Sequence, residues 1–440
     1  MDFFFIVWRS AAVALGLLLL SFSGAGVSQE LPRQADWQFS LSARSGAITI
    51  ASVQAGSPAE QAGMLAGDRV VSINGQPVRS GLDAFRARQQ SKAGRDLSVN
   101  VERNGRSVEL KFRPRALAFE SHPGIEVRRA SARTAAGFDV QMVVTRPEGA
   151  AKLPVVVFIP WLSCDPVENP AGPQDGWGRM LLDLVRESGW AVIRVEKAGL
   201  GDSTGPLCVD ADLEADLAGF RAALGAVSAM PGIDRERIFL FGGSIGASLA
   251  PLLARETALK GIVVSGGFYK TWLEHMLEFE RNRLAFIGRT PGEINEAMRG
   301  YAEFQVLYLN GRVSPGEVIG RRPEFKALWS ESPTHQYGRP ARYFHQLQAL
   351  NIAAAWDAVQ VPVLVVYGEY DWIMSLDDQK RIVDTVNGRR PGNARLIVVP
   401  RMNHHFEVFD SPAAAFADEG GRYTPSPVRD IMRWMREQAR

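Results

Sequence analysis

One stretch of this 440-residue chain concentrates the residue types that covalent catalysis needs: Gly242-Gly243-Ser244-Ile245-Gly246. It follows the run Arg237-Ile238-Phe239-Leu240-Phe241 and precedes Ala247-Ser248-Leu249-Ala250-Pro251-Leu252-Leu253-Ala254. G-x-S-x-G alone says little in a chain with 42 glycines, so its setting must decide. A strand that turns sharply into a helix needs small residues two before and two after the serine, because neighbouring backbone passes close. Such an elbow exposes Ser244 at a strand end above a helix N-terminus, where the dipole and the Ile245 N–H can stabilise an oxyanion. A serine hydroxyl is a poor nucleophile near neutral pH and requires a general base oriented by an acid. Two later segments offer both. The run Val363 to Tyr367 leads into Gly368-Glu369-Tyr370-Asp371, and Leu396 to Val399 leads into Pro400-Arg401-Met402-Asn403-His404-His405-Phe406. His122, His275, His335 and His345 lack such a setting and read as ordinary surface or core residues.

The elements that must position these groups are short apolar runs alternating with amphipathic stretches, the pattern of a mostly parallel sheet covered by helices. Strands are expected at Pro154 to Ile159, Ala191 to Val195, Ile238 to Phe241, Gly261 to Val264, Val363 to Tyr367 and Leu396 to Val399. Helices are expected at Gly178 to Glu187, Leu213 to Val227, Ala247 to Glu256, Leu376 to Val386 and Pro427 to Glu437. The interval from about 269 to 356 breaks the alternation with helical character and many aromatics, including Trp272, Phe279, Phe286, Tyr301, Phe304, Tyr308, Trp329 and Tyr343. An insertion there, at the C-terminal edge of the sheet, is placed to cover a crevice; most of its aromatics should pack its own core and a few should face the pocket.

With the order Ser244, Asp371, His404, the unit from 118 to 440 resembles the α/β-hydrolases over nearly its whole length, and also their prolyl-oligopeptidase branch. The resemblance implies a doubly wound α/β fold with a helical lid and a Ser244, Asp371, His404 triad. Family spacing favours His404 over His405 and Asp371 over Glu369. It also implies a second oxyanion donor from the loop after the Pro154 to Ile159 strand. That loop reads Pro160-Trp161-Leu162-Ser163-Cys164 where the family usually shows His-Gly, and since Pro160 has no N–H the donor would be Trp161 or Leu162. In the family's sheet this strand neighbours the next, whose closing loop leads to Cys208, so a Cys164 to Cys208 disulfide is expected, with two free buried thiols as the alternative. Closing a loop of about 45 residues would contribute roughly 4 kcal/mol in the chain-entropy model.

Composition narrows the classes. The 50 Lys and Arg residues against 48 acidic ones leave a net charge of +2, which gives no basis for nucleic-acid binding. Two cysteines without C-x-x-C or His/Cys metal spacing exclude a zinc finger and a disulfide framework. No metal or organic cofactor is called for. At 440 residues, two packed units plus an insertion are expected. Residues 1–28 read as a signal peptide: an apolar run with one Arg9, then Ala11 to Leu20 and the small residues Gly24, Ala25 and Gly26. The alternative is an uncleaved anchor, because Phe3 to Phe22 reaches the length of a bilayer core, although Arg9 within it is costly. The expected location is periplasmic or secreted, or membrane-anchored if the leader is kept.

Residues 33–115 form a small β-rich unit. Ile48, Ile50 and Val53 suggest a strand, Asn74-Gly75 and Asn104-Gly105 mark hairpins, and Leu82 to Ser91 is helical. With SPAEQAG, GDRVVSINGQPV and RNGRSVEL in this order, the unit resembles a PDZ domain of the bacterial periplasmic kind. PDZ domains add a peptide strand and capture its terminal carboxylate, which implies a peptide or protein C-terminus as a partner. The loop that would hold the carboxylate reads Trp37-Gln38-Phe39-Ser40-Leu41, with Ser40 where the family usually has Gly. A module that only docks or positions the larger unit is the alternative.

The whole reads as an exported serine hydrolase acting on a small-molecule ester or peptide through an acyl-serine intermediate. A prolyl-oligopeptidase-like peptidase and a catalytically inert scaffold remain the competing readings.

Overall fold

The computed structural model describes residues 31–44, 46–172 and 175–440. The expected signal peptide lies outside these residues. An eight-stranded sheet runs in the spatial order Ala394–Val399, Val363–Gly368, Gly261–Ser265, Ile233–Gly243, Leu153–Ile159, Ala191–Val195, Asp139–Pro147 and Ile125–Arg133. The first six are mutually parallel; Asp139–Pro147 pairs antiparallel with Ala191–Val195, and Ile125–Arg133 antiparallel with Asp139–Pro147. Leu153–Ile159 shows why these strands are continuous apolar runs. Val155, Val157 and Ile159 pack into one core and Val156 and Phe158 into another, because helices cover both faces.

On one face lie the helices Leu213–Val227 and Ile245–Ala254, and on the other Gly176–Ser188 and Ser426–Gln438. Asp212 starts Leu213–Val227 by accepting from the Ala215 N–H, and Gly189 ends Gly176–Ser188 at φ 67°. The two antiparallel strands are absent from the sequence expectation. Ile125–Arg133 is an edge strand whose charged residues hide its period, as exposed edges require. The helix after Ser244 begins at Ile245 rather than at Ala247.

The lid region contains the helices Trp272–Phe286, Pro291–Gln305 and Pro315–Arg321, each opened by a capping box: Thr271 with Glu274, Thr290 with Glu293, and Ser314 with Glu317. Its hairpin His335–Gln336/Arg339–Pro340 sends the fully buried Arg339 to Cys208 Sγ at 2.6 Å and to Asp216 at 2.6 Å. Tyr301, Phe304, Tyr308 and Tyr343 are buried in the core, whereas Phe286 is exposed.

The N-terminal unit is an antiparallel sheet of Phe39–Arg44, Ala47–Val53, Arg69–Ile73, Leu97–Arg103 and Arg106–Phe112, with Gln76–Pro77 paired to Arg69–Ile73. Asn74 and Gly75, and Asn104 and Gly105, all have positive φ, as two-residue hairpin turns demand. Phe39 to Leu41, read from sequence as part of a loop, lie in an edge strand instead; only Trp37 and Gln38 precede it. This unit is fastened to the larger one. Arg33 bridges Glu168 at 2.6 Å and Asp202 at 2.9 Å, and Lys92 donates to the Gly201 carbonyl at 2.7 Å. Leu82 and Phe85 of helix Gly81–Gln90 pack on Cys164, Leu200, Cys208 and Val209.

Candidate active site

Ser244 sits between Ile233–Gly243 and Ile245–Ala254 with φ 55° and ψ −122°, a strained backbone for a residue with a side chain. Its glycine neighbours explain how the turn closes. A Cβ on Gly242 would stand 2.4 Å from the Gly246 carbonyl oxygen, and one on Gly246 would stand 2.2 Å from the Ile159 carbonyl oxygen. The same contact presses the Ile159-Pro160 backbone, where the Trp161 loop begins, against the elbow. Ser244 makes no capping hydrogen bond, so its hydroxyl is not committed to the helix below. Ile245 opens that helix, and its N–H therefore has no intrahelical acceptor.

The acid and base candidates come from neighbouring strand ends. His404 Nδ1 lies 2.8 Å from Asp371 Oδ2, and both residues are buried. Asp371 Oδ1 accepts from the N–H groups of Ile373 and Met374 at 3.0 and 2.9 Å, which fixes the carboxylate. The two loops are joined by Tyr370 N–H donating to the Met402 carbonyl at 2.8 Å. Glu369 turns away: it is exposed and accepts from Arg401 N–H at 2.8 Å. His405 is exposed as well, and its N–H donates to Asn403 at 2.8 Å. Trp177 backs the His404 ring edge-on at 6.2 Å, and a Cβ on Gly266 would stand 2.5 Å from His404 Cε1.

Ser244, Ile245, Trp161, Leu162 and His404 line one cavity of about 710 Å³. The structure thus brings the sequence-selected groups to one place, with Asp371 behind His404. A larger groove of about 990 Å³, lined in part by Tyr269, Glu278, Arg281 and Asp377, contains neither Ser244 nor His404. Cys164 and Cys208 form a disulfide with Cα atoms 5.9 Å apart, so no free thiol exists among the described residues. No cluster of His, Cys, Asp and Glu suited to a metal occurs among them either.

Several groups at the site have no sequence signal. His275, taken from sequence as an ordinary residue, lines the cavity from the lid, and burial pushes its pKa down to about 3, with the nearby Lys270 charge adding to the effect. Trp177, Tyr337 and Trp372 line the same cavity. Lys197, at the end of Ala191–Val195, donates to the Ser163 carbonyl at 2.9 Å and so ties down the loop that carries Trp161 and Leu162. Burial lowers the Lys197 pKa and raises that of the adjacent Glu196. No pattern in the sequence distinguishes these residues; only packing does.

Comparison with known proteins gives a PDZ domain model matching residues 49–103 and an alpha/beta hydrolase family model matching residues 156–419. Esterase EstD of Thermotoga maritima is 22% identical over 296 residues, covering 66% of this chain and 64% of that protein. The chain therefore spans less than two thirds of that relative's length. A putative zinc metalloprotease of Brucella suis is 42% identical over 66 residues, 15% of this chain and 17% of that protein. Among solved structures, DcsB in complex with its substrate analogue is 16% identical, with a TM-score of 0.45 and coverage of 71% of this chain and 99% of that one. An esterase of Pyrobaculum calidifontis is 16% identical, with a TM-score of 0.41 and coverage of 73% and 87%.

Proposed function

Because the chain belongs to the alpha/beta hydrolase family and carries an N-terminal PDZ region, we propose that it is an exported serine esterase working through an acyl-Ser244 intermediate. The observation that carries this reading is the strained elbow serine lining the same cavity as a histidine whose far ring nitrogen is engaged by a buried aspartate. Asp371 fixes the His404 tautomer, leaving Nε2 free to take the Ser244 proton as the hydroxyl oxygen attacks the ester carbonyl. The tetrahedral oxyanion receives the Ile245 N–H and one from Trp161 or Leu162. His404 then protonates the departing alcohol. Water, deprotonated by the same imidazole, attacks the acyl-enzyme, and Ser244 regains its proton as the acid leaves.

Export is supported by the Cys164–Cys208 bond, which suits an oxidising compartment, and by the leader pattern of residues 1–28. At the PDZ region, the edge strand Phe39–Arg44 has one side without a strand partner among the described residues, which is where a peptide C-terminus would add. The central test is labelling of the full chain with a fluorophosphonate. Labelling of the wild type and none of Ser244→Ala is expected; no labelling of either overturns the esterase and favours a binding scaffold. A panel of p-nitrophenyl esters and aminoacyl amides then separates esterase from peptidase.

A further inference from the structure

The cavity beside Ser244 has a lopsided electrostatic character. It is lined by the lid residues Trp272, Phe279 and Tyr337 and by Trp372 next to Asp371, with Phe279 stacked on Trp372 at 5.3 Å and Trp272 edge-on to Tyr337 at 6.5 Å. The indole N–H of Trp272, itself 3% exposed, has no hydrogen-bond partner among the described residues. Two exposed carboxylates, Asp165 and Asp175, also line the cavity, and among the described lining residues there is no lysine or arginine. His275 adds no positive charge near neutral pH, because burial holds it neutral. Lys197, buried beside Glu196, stands 6.0 Å from the Trp161 ring centroid but does not itself line the cavity.

From this arrangement, and resting on the esterase reading above, we propose that the cavity selects esters bearing an ammonium or quaternary ammonium group and rejects those bearing a carboxylate. Aromatic rings carry negative charge on their faces and attract a cation that has shed water, while an anion entering the same space finds no counter-charge. The carboxylates of Asp165 and Asp175 add a field of the same sign, weakened by solvent at their exposed positions. Neutral aliphatic esters fit by apolar burial alone and fall between the two.

The test compares butyrylcholine with 3,3-dimethylbutyl butyrate, which has the same shape without the charge, and ethyl hydrogen succinate with ethyl butyrate. The expected kcat/KM for the cationic ester exceeds that of its neutral counterpart by about threefold to thirtyfold, and the ratio falls toward unity in Trp272→Leu. Parity, or preference for the neutral or anionic member, overturns the proposal while leaving the esterase reading intact. If none of the esters turns over, fluorophosphonate labelling of Ser244 decides the esterase reading. Titration of Ser244→Ala with tetraethylammonium, followed by tryptophan fluorescence, then decides the present one. Saturable quenching that Trp272→Leu removes supports it, and unsaturable or absent quenching overturns it.

Discussion

Lys197 Nζ donates to the Ser163 carbonyl at 2.9 Å from a position only 1% exposed. The contact joins two adjacent parallel strands, Leu153–Ile159 and Ala191–Val195, just beyond their C-terminal ends. One residue further on, Cys164 is locked to Cys208. The loop offering Trp161 and Leu162 is thus gripped twice. Removing the ammonium leaves a part-buried carbonyl without its donor, worth roughly 1 kcal/mol. Lys197→Met is expected to lower kcat about tenfold with a smaller change in KM, because a loosened oxyanion donor matters most when charge develops. Lys197→Arg should recover part of the loss. Equal losses in kcat for Met and Arg, with unfolding midpoints lowered alike, would show a purely structural role.

Asp371 and Glu369 are two residues apart, yet only Asp371 meets His404. Asp371→Asn should reduce kcat by about 10⁴ by presenting the wrong tautomer of the base, whereas Glu369→Gln should stay within a factor of two or so of wild type. Ester hydrolysis assays on both variants check this, and a reversed order would move the acid role to Glu369.

The glycines of the elbow differ from glycines elsewhere in what surrounds them. A Cβ at Gly246 collides with the Ile159 carbonyl, so Gly246→Ala is expected to cost about 1–3 kcal/mol and most of the activity. Gly225, exposed within Leu213–Val227, has nothing within 4 Å of its ideal Cβ. Gly225→Ala should therefore raise stability by about 0.5–1 kcal/mol through helix propensity. Urea unfolding of both variants reads out the opposite signs.

Acid sensitivity follows from His275. Its pKa in the fold, about 3, lies below the value of about 6.5 expected when unfolded, so protons bind the unfolded chain more readily. The contribution of this group is complete above pH 6.5 and is lost as pH falls toward 3, by up to about 1.4 kcal/mol per pH unit. His275→Phe should flatten that limb of the stability profile. An unchanged slope in denaturant titrations between pH 6.5 and 4 would remove His275 as its source.

What could be read from the sequence was whatever local chemistry dictates. Gly242 to Gly246 announces a turn because only small residues survive there, and the central strands announce themselves because burial on both faces leaves unbroken apolar runs. The edge strand Ile125–Arg133 was not legible, since its charged, half-solvated face carries no clean period. Spacing in the chain put Ser244, Asp371 and His404 in order, and the sequence alone could nominate them, with Glu369 and His405 as rivals. In the tertiary structure His404 meets Asp371 while Glu369 turns to the Arg401 N–H, a difference that depends on where loops come to rest rather than on composition. The tertiary structure alone brought His275, Trp372 and Lys197 to the cavity and its loop, since groups 78 to 175 positions apart meet only when the sheet and lid are packed together.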